Sequence, residues 1–183
     1  MKPSYKKIIA VLKYLGFSIE KSGGPDVSFN SRFKIQKIAY LCKGLGIEIY
    51  HKFNIRVHGP YSHVLAQDYY HFPEAFVNLE TDYVLTESER QIANEIKENV
   101  LDHYITKDYE TELLEAVSTI IYLKKENPDI SDDDIFATVK KMKSHLKESM
   151  IIISNNISKE LLFKPEYLTE EIRNELDMWD NID

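Results

Sequence analysis

Tyr109-Glu110-Thr111-Glu112-Leu113-Leu114-Glu115-Ala116-Val117-Ser118-Thr119-Ile120-Ile121-Tyr122-Leu123 is the stretch on which the fold turns. Tyr109, Leu113, Leu114, Val117, Ile120, Ile121 and Leu123 recur at the three-and-four spacing that puts side chains on one face of a helix. Asn127-Pro128 closes the run, because a residue before proline is steered away from helical backbone. With this as the clearest element, the chain is expected to be mainly helical.

Outward towards the C-terminus, Ser131-Asp132-Asp133-Asp134 opens a second helix, its carboxylates at the positive end of the helix dipole. Ile135, Val139, Met142 and Leu146 would be its buried stripe. The apolar run Met150 to Ile153 continues at helical spacing through Ile157, Leu161 and Leu162. An acidic tail begins at about residue 164, with a short helix expected from Thr169 and fraying unless Trp179 docks.

Towards the N-terminus, Thr86-Glu87-Ser88-Glu89 fits the S/T-x-x-E capping box, and a helix through about residue 102 should follow. Asp82 to Leu85 is an edge strand or a linker. Ser62 caps a helix containing Val64, Leu65, Asp68 and Tyr69. Ile47 to Tyr50 and Phe53 to Val57 alternate with period two, as two short strands or one bent strand with a turn near His51-Lys52. Gly59-Pro60 breaks the extended run. Ser31 is the expected N-cap of a helix with Ile35, Ile38, Cys42 and Leu45 on one stripe, ended by Gly44 and Gly46. Tyr5, Ile8, Ile9, Leu12 and Leu15 form the first helix, before a turn-rich loop at Ser22 to Asp26. The expectation is one domain over 1–183. It is mainly α, of about six to eight helices, with a short β-hairpin or bent strand near residues 47–57.

Composition bounds the function. With 43% hydrophobic and 29% charged residues among 183, the chain has enough apolar surface to fold and is not of disordered type. A single cysteine excludes an internal disulfide framework. No apolar run approaches the roughly 20 residues of a membrane span. Met1 to Lys7 lacks the long apolar stretch of a signal peptide, so a cytoplasmic protein is expected. Charge is divided: 11 of the 23 Lys and Arg but only 3 of the 30 Asp and Glu fall in residues 1–60.

Motifs for catalysis are missing. Four of the 6 histidines, His51, His58, His63 and His71, are close in sequence, yet no H-E-x-x-H is present. His63 and His71 are two helical turns apart, too far to share an ion without help from Asp68. Cys42 sits on an apolar stripe, as a small buried hydrophobe would. Gly23-Gly24 is not followed by the Lys-Ser/Thr of a P-loop. No catalytic residue, metal or cofactor is expected. A nucleic-acid surface is the next candidate: Lys34, Lys37, Lys43, Lys52 and Arg56 occur with Tyr40 and Tyr50, and Lys140, Lys141, Lys143 and Lys147 form a second basic stretch. The sequence pI of about 5.4 argues for a solvated face instead.

One segment carries a resemblance. Arg32-Phe33-Lys34-Ile35-Gln36-Lys37-Ile38-Ala39-Tyr40-Leu41 resembles the K-[LI]-Q-K-[LI]-x-Y-[LA] helix of the Panacea antitoxin domain, also called SocA-like or phage-associated GepA-like. Arg56-Val57-His58-Gly59-Pro60-Tyr61-Ser62 resembles that family's extended segment, which ends in Gly-Pro and enters a helix. Gly59 to Asp68 is similar to the related YwgA-like proteins. The match covers residues 30 to 70, and Arg56-Val57-His58 replaces the Ala or Trp and the aromatic that usually precede Gly-Pro. The resemblance implies a non-catalytic module that binds a toxin-like protein encoded nearby. The residues it nominates for partner binding are Lys34, Gln36, Lys37, Tyr40, Arg56, His58, Gly59, Pro60 and Tyr61, with the polar members of the helix partly on a face away from the core. A nucleic-acid-associated regulator built on the basic N-terminal third is the alternative. A metal-dependent enzyme using the histidines of residues 51–71 is the remotest.

Overall fold

The computed structural model describes residues 4–24 and 26–163; the helix expected at Thr169 and the docking of Trp179 lie outside them. Among the described residues the chain forms eight α-helices and one two-stranded antiparallel sheet. They are α1 (Ser4–Tyr14), α2 (Phe29–Gly44), β1 (Asn54–Arg56), β2 (Gly59–Tyr61), α3 (His63–His71), α4 (Pro73–Val77), α5 (Glu87–Ile96), α6 (Thr106–Glu126), α7 (Asp132–Met142) and α8 (Glu148–Leu162). The mainly helical expectation is met. No helix among these residues is long and apolar enough to cross a membrane.

Helix α6 is the centre. It packs against α8 on one side and α2 on the other, and both α2 and α6 touch β2. Every residue from Leu113 to Ile121 is buried, so α6 has no solvated face along its middle. Helix α2 is likewise buried continuously from Ile35 to Cys42. A helix surrounded on all sides must bury whatever polar residues it carries, and these must find partners inside.

Local chemistry sets the ends. Thr86 and Glu89 form the reciprocal capping box that the sequence announces. Ser62 and Ser131 cap α3 and α7 as expected. Helix α2 starts three residues earlier than expected: Ser28 is the cap, its hydroxyl accepting from the Ser31 amide at 3.2 Å. Ser31 instead accepts the Glu20 amide at 2.9 Å, tying the preceding loop to the helix. After α5 the chain widens into one π turn, Lys97–Leu101, in place of a straight helix to 102.

Of the two runs with period-two alternation, Phe53 to Val57 contains β1, and the partner strand lies after it instead of before it. Ile47 to Tyr50 is not a strand. The hairpin pairs Asn54 with Tyr61, Ile55 with Pro60 and Arg56 with Gly59, and it turns at Val57-His58, not at His51-Lys52. Gly59-Pro60 therefore begins the second strand and does not end the extended run. Proline is tolerated because a two-stranded sheet consists of edges.

In α7, Met142 is 40% exposed and Lys143 takes the buried place one residue on. The helix stops at Met142, and the non-helical backbone of Lys143 swings its side chain inward.

Candidate functional site

The hairpin is fastened to the helices by buried polar side chains. From α2, the Gln36 amide behaves like a neighbouring strand: it donates to the Ser62 carbonyl at 2.9 Å and accepts from the Ser62 amide at 2.8 Å. From the next residue of α2, Lys37 Nζ donates to the Pro60 carbonyl at 2.9 Å. From the far side, Lys143 Nζ donates to the carbonyls of Arg56, at 3.2 Å, and Val57. These bonds satisfy carbonyls that a third strand would otherwise take.

Glu115 of α6 lies beneath. Its carboxylate pairs with Lys143 at 3.0 Å and meets His145 Nε2 at 3.2 Å and His58 Nδ1 at 3.9 Å. Glu115, Lys143 and Lys37 are all at least 97% buried, at 3%, 1% and 2% exposure. The interior carboxylate thus pairs with one interior ammonium, Lys143, and acts on the other, Lys37, only through its field. Burial pushes Lys37 down to about 7, against the pull of Glu115 and helped by repulsion from Lys143.

Gly59 makes this proximity fit. Its φ of +87° suits glycine, and a methyl group there would stand 2.8 Å from Thr119 Oγ1 and 3.4 Å from Lys37 Nζ.

Above this interior cluster opens a cleft of about 400 Å³ between the start of α2, the hairpin turn and α3. Arg32, Lys37, Arg56 and His58 line it, together with aromatic walls from Phe33 and Tyr69, and among the described residues no carboxylate does. Phe29, Val57 and Tyr70 also border it and are exposed at 66%, 78% and 51%, a concentration of large apolar groups in water. Arg32 donates to the Tyr70 hydroxyl, while its own Nε is shielded from solvent and has no hydrogen-bond partner among the described residues.

The nominated residues divide into two sets. Gln36, Lys37, Gly59 and Pro60 are buried and serve the hairpin anchorage; Gln36, Lys37 and Gly59 also reach the cleft. Tyr40 is buried elsewhere, its ring 5.3 Å from Phe53 and 5.8 Å from Tyr122, with burial raising its phenol pKa. Lys34 is half-buried and paired with Glu110 at 2.6 Å. The partly exposed polar face expected for α2 is thus mostly interior, because α6 and the hairpin cover it. Arg56, His58 and Tyr61 do line the cleft.

Glu115, Lys143 and Thr119 were not nominated, nor were the cleft residues Arg32, Phe29, Val57 and Tyr70. One signal was available. Lys143 falls four residues after Val139 on the buried stripe, and Glu115 sits between apolar residues in a helix with little polar face.

The clustered histidines are dispersed. Buried His51 pairs with Asp68 at 2.6 Å, whereas His58, His63 and His71 are exposed. Among the described residues no three His, Cys, Asp or Glu side chains are grouped to hold a metal ion. Comparison of the chain with protein-family models, with curated proteins and with solved structures found no match.

Proposed function

We propose that this protein is a non-catalytic, cytoplasmic protein-binding module that holds an acidic segment of a partner protein in the cleft between α2, the hairpin turn and α3. The observation that carries the reading is the lining itself: two arginines and a histidine among exposed Phe29, Val57 and Tyr70, without an opposing carboxylate among the described residues. Apolar anchors with flanking arginines are the composition of binding hot spots. Carboxylates are the complementary charge for that lining. The resemblance of residues 30 to 70 to Panacea-type antitoxins supports a toxin-like partner encoded nearby, neutralised by direct contact.

The nucleic-acid reading draws on the same cations but has less to work with. Lys34 is engaged with Glu110, Lys37 is interior, and Lys43 donates to the His51 carbonyl at 2.6 Å.

Co-expression with the product of the neighbouring gene tests the proposal. The wild-type chain is expected to co-purify with that product and relieve its toxicity. The double charge reversal Arg32→Glu/Arg56→Glu should lose both while keeping its melting temperature within a few degrees. Failure of the wild type to form the complex, or full retention by the double variant, contradicts the proposal.

A further inference from the structure

We infer that the floor of the cleft is a carboxylate-binding subsite, in which Arg32 receives an acidic side chain of the docked segment and the Lys37 ammonium just beneath supplies the counter-charge. The inference rests on the docking reading and names the group that enters deepest. Lys37 Nζ lies 5.0 Å from the centre of the Phe33 ring and close beside Gly59, and both of those residues line the cleft. The ammonium, on a residue only 2% exposed, therefore lies just beneath the floor, behind the Phe33 ring and the bare backbone of Gly59.

The interior is short of negative charge at this point. Glu115 is committed to Lys143, so Lys37 has a neutral carbonyl as its hydrogen-bond partner. On the same helix, Arg32 offers in the cleft wall an Nε–H that has no partner among the described residues. A carboxylate at the floor supplies the missing counter-charge to Lys37 and an acceptor to Arg32. Phe33 and Tyr69 pack against the carbon chain that carries it.

Binding is then coupled to protonation. Glu115 from α6 and Lys143 after α7 act on Lys37, and His58 on the hairpin turn and Arg32 on α2 line the same cleft. Around neutral pH the free protein holds Lys37 partly deprotonated. An entering carboxylate favours the ammonium form, so one proton is taken up as it binds.

The test uses two small probes, 3-phenylpropionate and its neutral analogue 3-phenylpropanamide, titrated into the full chain while backbone amide resonances are followed. The carboxylate is expected to shift residues 32–37 and Gly59 and to bind at least tenfold more tightly than the amide at pH 6.5. Raising the pH to 8.5 should weaken it about tenfold. His58→Gln should preserve that pH dependence, and Lys37→Met should remove it. Arg32→Gln should weaken the carboxylate several-fold at both pH values.

Equal binding of the two probes, absence of a carboxylate-dependent shift at the floor, or an affinity indifferent to pH overturns the inference. So does loss of the pH dependence in His58→Gln. The outcome is separable from the docking reading. A partner that docks while the probes ignore charge removes the subsite alone, and a charge-selective probe site without any partner removes the docking alone.

Discussion

Gly59 meets two demands at once, a positive φ and a gap too narrow for a side chain above Thr119. Gly59→Ala should therefore destabilise the protein by about 2 kcal/mol or more, read by urea unfolding. Lys37 is the other residue with a measurable signature. Its folded-state pKa, about 7, is below the ordinary 10.5, so folding releases its proton between those values. The unfolded chain then binds more protons, and stability rises as pH climbs above 7. Above about 9 the buried Cys42 thiol, raised from 9.0 to about 12, acts in the opposite sense. Between pH 7 and 9 Lys37 should contribute a gain on the order of 1 kcal/mol per pH unit. Lys37→Met should make the slope of unfolding free energy against pH shallower in that window. An unchanged slope means that Lys37 stays charged there.

At the scale of elements, the hairpin depends on its fasteners more than on its own ladder. Three residues per strand give few cross-strand bonds, and an isolated hairpin is marginal in water. Lys143 replaces the missing neighbour on one side and Gln36 with Lys37 on the other. Lys143→Met leaves the Glu115 carboxylate buried without its ammonium and should cost roughly 3–5 kcal/mol. Amide exchange should accelerate in residues 54–61 while α5, held by its own capping box, keeps its relative protection. Equal acceleration everywhere would show that the hairpin opens only with the whole domain.

The helices were legible because caps and apolar spacing are local: Thr86 with Glu89, Ser62, Ser131 and the Asn127-Pro128 stop each act within a few residues. The first strand lies inside the expected Phe53 to Val57 run, but the second was missed because it contains Gly and Pro, which are poor strand residues, and is held from outside the sheet. No alternation in sequence records a fastener 87 residues away, which is the separation of Lys143 from Arg56.

Across the whole molecule, the motif of residues 30 to 70 was visible but its two duties were not. Read along α2, Lys34, Gln36, Lys37 and Tyr40 look like one polar edge. The fold pairs the first with Glu110, spends the next two on the hairpin and seals the last beside Tyr122. What faces outward comes from three elements together: Phe29 and Arg32 on α2, Arg56 to His58 on the hairpin, and Tyr70 on α3. That convergence depends on where α6 places α2 and the hairpin, which one-dimensional spacing does not encode. The uneven charge along the chain has a local counterpart, since this basic N-terminal portion supplies the cations of the cleft.

Amide hydrogen exchange on the protein, alone and in complex with the neighbouring gene's product, measures most directly whether that cleft is where a partner docks. Slower exchange on binding is predicted in residues 29–37 and 56–61, with the difference abolished in Arg32→Glu/Arg56→Glu. A stable complex that leaves both segments unchanged, or that protects only surfaces away from them, would contradict the account.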